Sequence, residues 1–475
     1  MSTPETTHHV EVLGPPGDHH FEILNPEALD FVARLDAAFT RRRREILTAR
    51  RHRSDSLASG HPLDFPRATS AVRDDPNWRV APTAQALTGR RAEITAPPAP
   101  RTAANALGSG ADVWIADFEE TPSPLWENVL AGHLTLLDIC RRRTGPAPAR
   151  GRDTRPGGSV PTLVVRPRGW HLEEECFLVD GHPVSAALVD FGLYFFHCAR
   201  RLIDAGSGPY LHLARLENRF EARLWNDVFV LAQDLLGIPQ GTVRATAVID
   251  TVTAAFEMEE ILYELREHSS GLAADRWHYL FSVIGAFGHR TPFLLPDTTE
   301  AALAAPFMRA YSELLVRTCH RRSARPTGDV AEITGVPDDA PVRAADLLSV
   351  HRPGPAEAPT RQQVRSAVTL ALRHVEAWLR GRGTAVLGGQ PAGRSAAELT
   401  RARLWQWRRQ RLVSPTDLRA LIDVESAAMA REHSGALVAE AREVLERTLL
   451  GDELPPPLTP DTYRRRLICR TEGPA

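Results

Sequence analysis

Short stretches that are apolar on both faces recur between helical segments of this chain: Val113–Ala116, Thr162–Val165, Tyr210–Leu213, Ala245–Ile249 and Tyr279–Phe281. Strands covered on both faces belong to a parallel sheet flanked by helices, which makes the expected fold α/β. Four of the stretches stop at polar residues: Asp117 with Glu119, Arg166, Arg215 with Glu217, and Asp250. In a (β/α)8 barrel the carboxyl ends of the strands converge on one site. Repeated polar stops at that end therefore favour a barrel that carries chemistry over a bare scaffold.

The flanks read differently. Residues 1 to about 90 are irregular and helical, and Phe31–Ala49 has apolar residues at helical spacing. It contains the run Arg41-Arg42-Arg43-Arg44, which reads as a solvated helix face. Residues 323–363 are rich in Pro, Gly and Asp and read as loop or linker. Long helical patterns fill 364–449, with boundaries at Gly381-Arg382-Gly383 and Pro415, before a tail containing Pro455-Pro456-Pro457.

A length of 475 residues suits a barrel with helical additions. The net charge of −2 offers no bulk field for nucleic acid or an anionic membrane. The sequence has no lysine, so neither a Schiff base nor a lysine general base is available. Its five cysteines, Cys140, Cys176, Cys198, Cys319 and Cys469, form no CxxC pair. That suits a reducing compartment and argues against a disulfide framework or a thiolate zinc site. With no signal pattern at Met1–Val10, no long apolar stretch and no peroxisomal tripeptide at the end, the expected location is the cytoplasm.

Several longer strings are distinctive. They are Arg91-Ala92-Glu93-Ile94-Thr95, Ala111 to Glu119, Val165-Arg166-Pro167-Arg168-Gly169-Trp170-His171, and Glu221 to Phe229. Ala255-Phe256-Glu257-Met258, Glu264 to His268 and Leu404-Trp405-Gln406-Trp407 follow. In order and spacing they resemble the malate synthase family of the shorter, bacterial and plant type, from about Arg91 to Arg322 and again from Val375 to Trp407. The resemblance implies a (β/α)8 TIM barrel with an N-terminal helical clasp and a C-terminal helical plug. On it, residues 1–90 are the clasp, 91–325 the barrel, 326–363 a remodelled loop or late barrel segment, and 364–475 the helical domain. The family's Met-Gly-Gly-Met loop corresponds to Thr327-Gly328-Asp329-Val330. The late-strand motif Gly-Thr-Trp-Val-Ala-His-Pro is not recognisable here. The implied activity is the glyoxylate-cycle condensation of acetyl-CoA with glyoxylate, assisted by magnesium or manganese.

Residue by residue, the resemblance makes Arg166 the catalytic arginine, whose planar fork suits a developing oxyanion. Asp117 and Glu119 match acidic residues beside the metal. The metal carboxylate after Ala245–Ile249 is Glu in the family and Asp250 here. The family signature His-x-x-Gly-Leu-Asn-x-Gly-x-Trp-Asp-Tyr reads His268 to Tyr279 in this chain. Its second metal carboxylate becomes His278, which suits a softer ion than magnesium. The glycine that cradles glyoxylate becomes Asp275, which would repel an anion or take a metal or cationic group instead. Trp277 is retained as a substrate-binding candidate. The catalytic base is Asp in a Leu-Met-Glu-Asp segment of the family; here that position is Gly393, in Gln390-Pro391-Ala392-Gly393. His278 is then the candidate substitute base.

These changes favour a repurposed enzyme that takes an acyl-CoA and a 2-oxo acid, by Claisen-type transfer or thioester hydrolysis. A catalytically inactive paralogue serving as scaffold or sensor is the alternative, and an active malate synthase with another base is the third reading.

Overall fold

The computed structural model describes residues 8–15, 17–88, 92–120, 123–144, 160–290, 293–295, 299–336, 341–350, 358–382, 385–387, 390–432, 435–452 and 454. Arg91, Gly383, Pro455-Pro456-Pro457 and Cys469, singled out above, lie outside the described residues.

Twelve strands are described. In chain order they are β1 Val10–Val12, β2 Glu93–Ala96, β3 Val113–Asp117, β4 Thr162–Arg166, β5 Glu173–Val179 and β6 His182–Ser185, then β7 Tyr210–Leu213, β8 Arg244–Ile249, β9 Ser269–Ala274, β10 Arg325–Gly328, β11 Ala385–Leu387 and β12 Gln390–Ala392. Seven of them form one parallel sheet in the order β10-β9-β8-β7-β4-β3-β2, curled into a TIM-barrel wall with helices in the connections. Every residue of β3, β4, β7 and β9 is buried, as a wall covered on both faces demands. Among the described residues β2 and β10 have no further strand partner, so an eighth strand is not seen. Between these edges Arg325 of β10 donates to the carbonyl of Leu87. Ala84, Ala86 and Leu87 pack against Val113, Ile115, Val164 and Tyr210.

Two expectations are corrected. Tyr279–Phe281 is no strand but part of the helix Arg276–Phe287; a short apolar run does not distinguish a buried helix from a strand. The strand there is β9, Ser269–Ala274, whose small residues gave no β signal. Its Gly271 has φ +136°, and an added Cβ would lie 2.0 Å from the carbonyl oxygen of Arg325. Only a glycine lets β10 pair there. That pairing also places a strand inside the stretch read as linker.

The long helix Pro26–Ala58 starts with Asn25 accepting from the Ala28 amide and packs on the helices Ala186–Asp204 and Arg219–Leu236. Its arginine run is not uniformly solvated. Arg43 is buried, donating to the carbonyls of Trp170 and Leu172 and to Glu173. β1 pairs with β5 of the β5–β6 hairpin. The helices Arg361–Leu379, Arg394–Arg409, Pro415–Met429 and Gly435–Leu450 pack on one another, and Arg394–Arg409 also packs on Arg276–Phe287. Gln406 ties the same helix to the segment after Arg276–Phe287 by donating to the carbonyl of Phe293 at 2.9 Å. No helix among the described residues is long and apolar enough to cross a membrane.

Candidate functional site

The parallel register carries the polar stops of neighbouring strands to one end of the barrel. Asp117, the last residue of β3, is fully buried, and its Oδ1 accepts from the amides of Glu119 and Glu120 at 3.0 and 3.2 Å. This turn sends the two glutamates in different directions. Glu119 braces the site, accepting from the Gly169 amide at 2.9 Å and from Arg215 Nε at 3.1 Å. Glu120 faces the middle, its Oε1 3.2 Å from both Arg166 Nη1 and His278 Nδ1.

Arg166 ends β4. Its Nε and Nη2 lie 3.3 and 3.1 Å from Nδ1 of His212 on β7. Burial and the Arg166 charge hold His212 well below the ordinary histidine range, so its imidazole is neutral and Nδ1 accepts. Arg215, just after β7, sits at φ 62°, a left-handed conformation that is uncommon for a side-chain-bearing residue. Its amide donates to Asp250 Oδ2 at 3.0 Å. Burial, opposed by Arg215 and His278, pushes the Asp250 carboxyl up to about 6. Burial, opposed by Arg166 and reinforced by Glu120, does the same to Asp117, again to about 6.

Asp275 caps the helix Arg276–Phe287. One oxygen accepts from the His278 amide at 3.1 Å, and the other pairs with His278 Nδ1 at 2.9 Å. Burial works against its charge, but His278 outweighs it and keeps the carboxyl below the usual range. Burial and Arg215 act to neutralise His278, while Glu120 and Asp275 reverse the balance and raise it. Trp277, half-buried, packs on the apolar core.

Gly393 is the N-cap of the helix Arg394–Arg409, with φ −64° and ψ 155°. Next to it, Arg394 Nη1 donates to the Glu119 carbonyl at 2.8 Å and Ser395 Oγ to Glu120 at 3.3 Å. The C-terminal helix therefore begins at the barrel site. A Cβ built on Gly393 meets nothing within 4 Å, so the position has room for a side chain and brings none.

The residues expected from the sequence are thus gathered at one end. Asp250 Oδ2 accepts from the Arg215 amide, and ligand atoms of Glu120, Asp275 and His278 lie within 4.8 Å of one another. Glu120 and His212 were not foreseen. The adjacent pair Glu119-Glu120 was the available signal, because two carboxylates directly after a strand cannot face the same way. A divalent cation fits the donors present: Glu120 Oε1 and Asp275 Oδ2 converge on His278 Nδ1, and Asp250 Oδ1 is buried without a hydrogen-bond partner. Carboxylates also outnumber guanidiniums, with Asp117, Glu119, Glu120, Asp250 and Asp275 around Arg166, Arg215 and Arg394.

Family models for the malate synthase N-terminal domain, TIM-barrel domain and C-terminal domain match residues 8–70, 162–352 and 358–465. The chain is 41% identical to a malate synthase of Streptomyces clavuligerus, covering 98% of this chain and 99% of that protein. The chain belongs to the malate synthase family. A malate synthase of Myxococcus xanthus is 37% identical, with 84% of this chain and 83% of that one covered. One from Oryza sativa is 35% identical over 97% of this chain and 95% of its own. A solved Haloferax volcanii malate synthase, in a pyruvate/acetyl-CoA ternary complex, superposes with TM-score 0.41 at 10% identity. It covers 74% of this chain and 97% of its own, a distance at which side-chain geometry does not transfer.

Proposed function

We propose that this protein binds an acyl-CoA thioester and a small 2-oxo acid at the carboxyl ends of the barrel strands, and releases CoA there without a side-chain base from the C-terminal helices. The observation that carries this reading is the buried polar cluster around Arg166, in which Glu120 Oε1 is shared at 3.2 Å between Arg166 and His278 while Asp250 Oδ1 and His278 Nε2 have no hydrogen-bond partner. Each such group costs about 1–3 kcal/mol when left unmade. An inert scaffold gains nothing from that cost, whereas a site that receives a polar ligand recovers it on binding.

The chain's own groups divide the work. Neutral His212 on one side and Glu120 on the other hold the guanidinium of Arg166 in place. Its remaining N–H groups then serve a carbonyl oxygen as negative charge develops on it. A divalent cation held by Glu120, Asp275 and His278 would polarise that carbonyl. Removing a proton from an acyl methyl group needs a base, and the one acid in the helix that begins at Gly393, Glu398, is ion-paired with Arg401 at 2.8 Å. Attack of water on a polarised thioester needs no carbon acid: its oxygen bonds the carbonyl carbon, the C–S bond breaks, and of the two water protons one goes to the sulfur of CoA and one to solvent, so thioester cleavage is the half-reaction these groups support best. His278 serves here as a ligand; a nitrogen lone pair bound to a cation cannot also take a proton.

The test is CoA release by the purified protein from acetyl-CoA and longer acyl-CoAs, with magnesium or manganese, with and without glyoxylate. Release that Arg166→Gln abolishes and that persists without glyoxylate supports the reading. Release that depends on glyoxylate makes the protein an ordinary malate synthase with its base outside this helix. No release from any thioester overturns the proposal and leaves a scaffold or sensor.

A further inference from the structure

We infer that the ion site of this chain selects a first-row transition ion over magnesium, through a two-carboxylate, one-imidazole set made of Glu120, Asp275 and His278. This deepens the function proposed above and rests on it only for the chemistry the ion serves.

The ligand atoms of these three residues lie within 4.8 Å of one another, close enough to surround one cation. His278 is 1% exposed and Glu120 8%, and the imidazole faces both carboxylates through Nδ1, 2.9 Å from Asp275 and 3.2 Å from Glu120 Oε1. One cation set between these three atoms would take the place of those mutual contacts. The positions come from different parts of the chain: Glu120 follows β3, while Asp275 and His278 open the helix after β9. The α-helical spacing of three between Asp275 and His278 puts both on one face of the first turn. Helix capping fixes Asp275 further, since its Oδ1 holds the His278 amide at 3.1 Å.

Ligand type then decides the ion. Magnesium demands hard oxygen donors in a strict octahedron. Imidazole suits zinc, iron, cobalt, nickel or copper, and affinity at mixed nitrogen and oxygen donors rises along the divalent series from manganese to copper. The guanidinium of Arg166, with Nη1 3.2 Å from Glu120, repels any cation, so the site needs both carboxylates as well as the imidazole. Arg215 engages Oδ2 of Asp250.

The experiment uses the full chain, stripped with a chelator and titrated separately with cobalt(II), manganese(II) and magnesium chlorides, followed by calorimetry. Cobalt should bind more tightly than magnesium by about tenfold or more, and Glu120→Gln should weaken cobalt by about tenfold. His278→Asp should narrow or invert the preference for cobalt over magnesium. Pulsed electron paramagnetic resonance of bound manganese(II) should show nitrogen coupling that His278→Asp removes. That readout needs no catalysis and holds even if one variant folds poorly. Equal affinity for magnesium and cobalt, nitrogen coupling unchanged in His278→Asp, or no ion bound would each overturn the inference. Ion binding without CoA release would sink the proposed reaction alone; CoA release without an imidazole-bound ion would sink this inference alone.

Discussion

At position 393 the backbone is already arranged for an acidic side chain. The φ of −64° is ordinary, a Cβ meets nothing within 4 Å, and the residue is an N-cap, where Asp is among the preferred types. Gly393→Asp should therefore leave the melting temperature unchanged or slightly higher. If the site otherwise retains the family's arrangement, the same substitution should raise glyoxylate-dependent CoA release by about 10²-fold, the contribution of a placed general base. A well-folded variant without that gain would show that Asp275 and His278, rather than the residue at 393, set the reaction. The neighbourhood of 393 was legible because the Leu404-Trp405-Gln406-Trp407 helix fixes its register. The role of Glu120 was not, because its meaning depends on how Asp117 turns the chain through its amide hydrogen bonds.

Among the elements, the long helix Pro26–Ala58 shows how an identical residue type divides by face. Arg43 is 3% exposed and donates to two carbonyls and to Glu173, whereas the side chain of Arg41 is 91% exposed beside Glu45. Arg43→Ala should cost about 3 kcal/mol, because it strands buried partners. Arg41→Ala should stay within about 0.5 kcal/mol of the parent in the same urea titration. The sequence run Arg41-Arg42-Arg43-Arg44 could not reveal this, since burial of Arg43 depends on carbonyls more than a hundred residues away.

The pair of helices Arg361–Leu379 and Arg394–Arg409 carries a pH dependence. His374 lies between them with neither ring nitrogen hydrogen-bonded. Burial, with Arg394 and Arg401 adding to it, outweighs Glu398 and brings it from the ordinary 6.5 down to about 4. Below pH 6.5 the unfolded chain binds a proton there that the folded chain refuses, so stability falls with pH until about 4, by about 3 kcal/mol in all. His374→Leu should remove that loss. Its melting-temperature advantage over the parent should widen between pH 7 and pH 4.5, and a constant difference would refute the assignment.

For the molecule as a whole, the parallel wall was readable where both faces were filled by β-branched residues, as in β3, β4 and β8. It was unreadable at β9 and β10, where close backbone approach selects Gly271 and small neighbours instead. Among the described residues β2 and β10 have no outer strand partner, and these edges should be the softest part of the wall. In hydrogen exchange, the amides of β2 and β10 should exchange faster than those of β3 and β8, and equal protection would indicate a strand pairing with both edges.

The sheet has a further weak line, between β4 and β7, where only Val165 and Leu211 are in register, against four or more positions at each neighbouring joint. The bond from Arg166 to His212 crosses that line. Arg166 is therefore a rivet between two halves of a wall as well as a group in the site. An Arg166 variant should lose folding stability as well as CoA release, and His212→Phe, which cuts the rivet and removes one of the two supports of the guanidinium, should show in urea titration how much of that stability is mechanical.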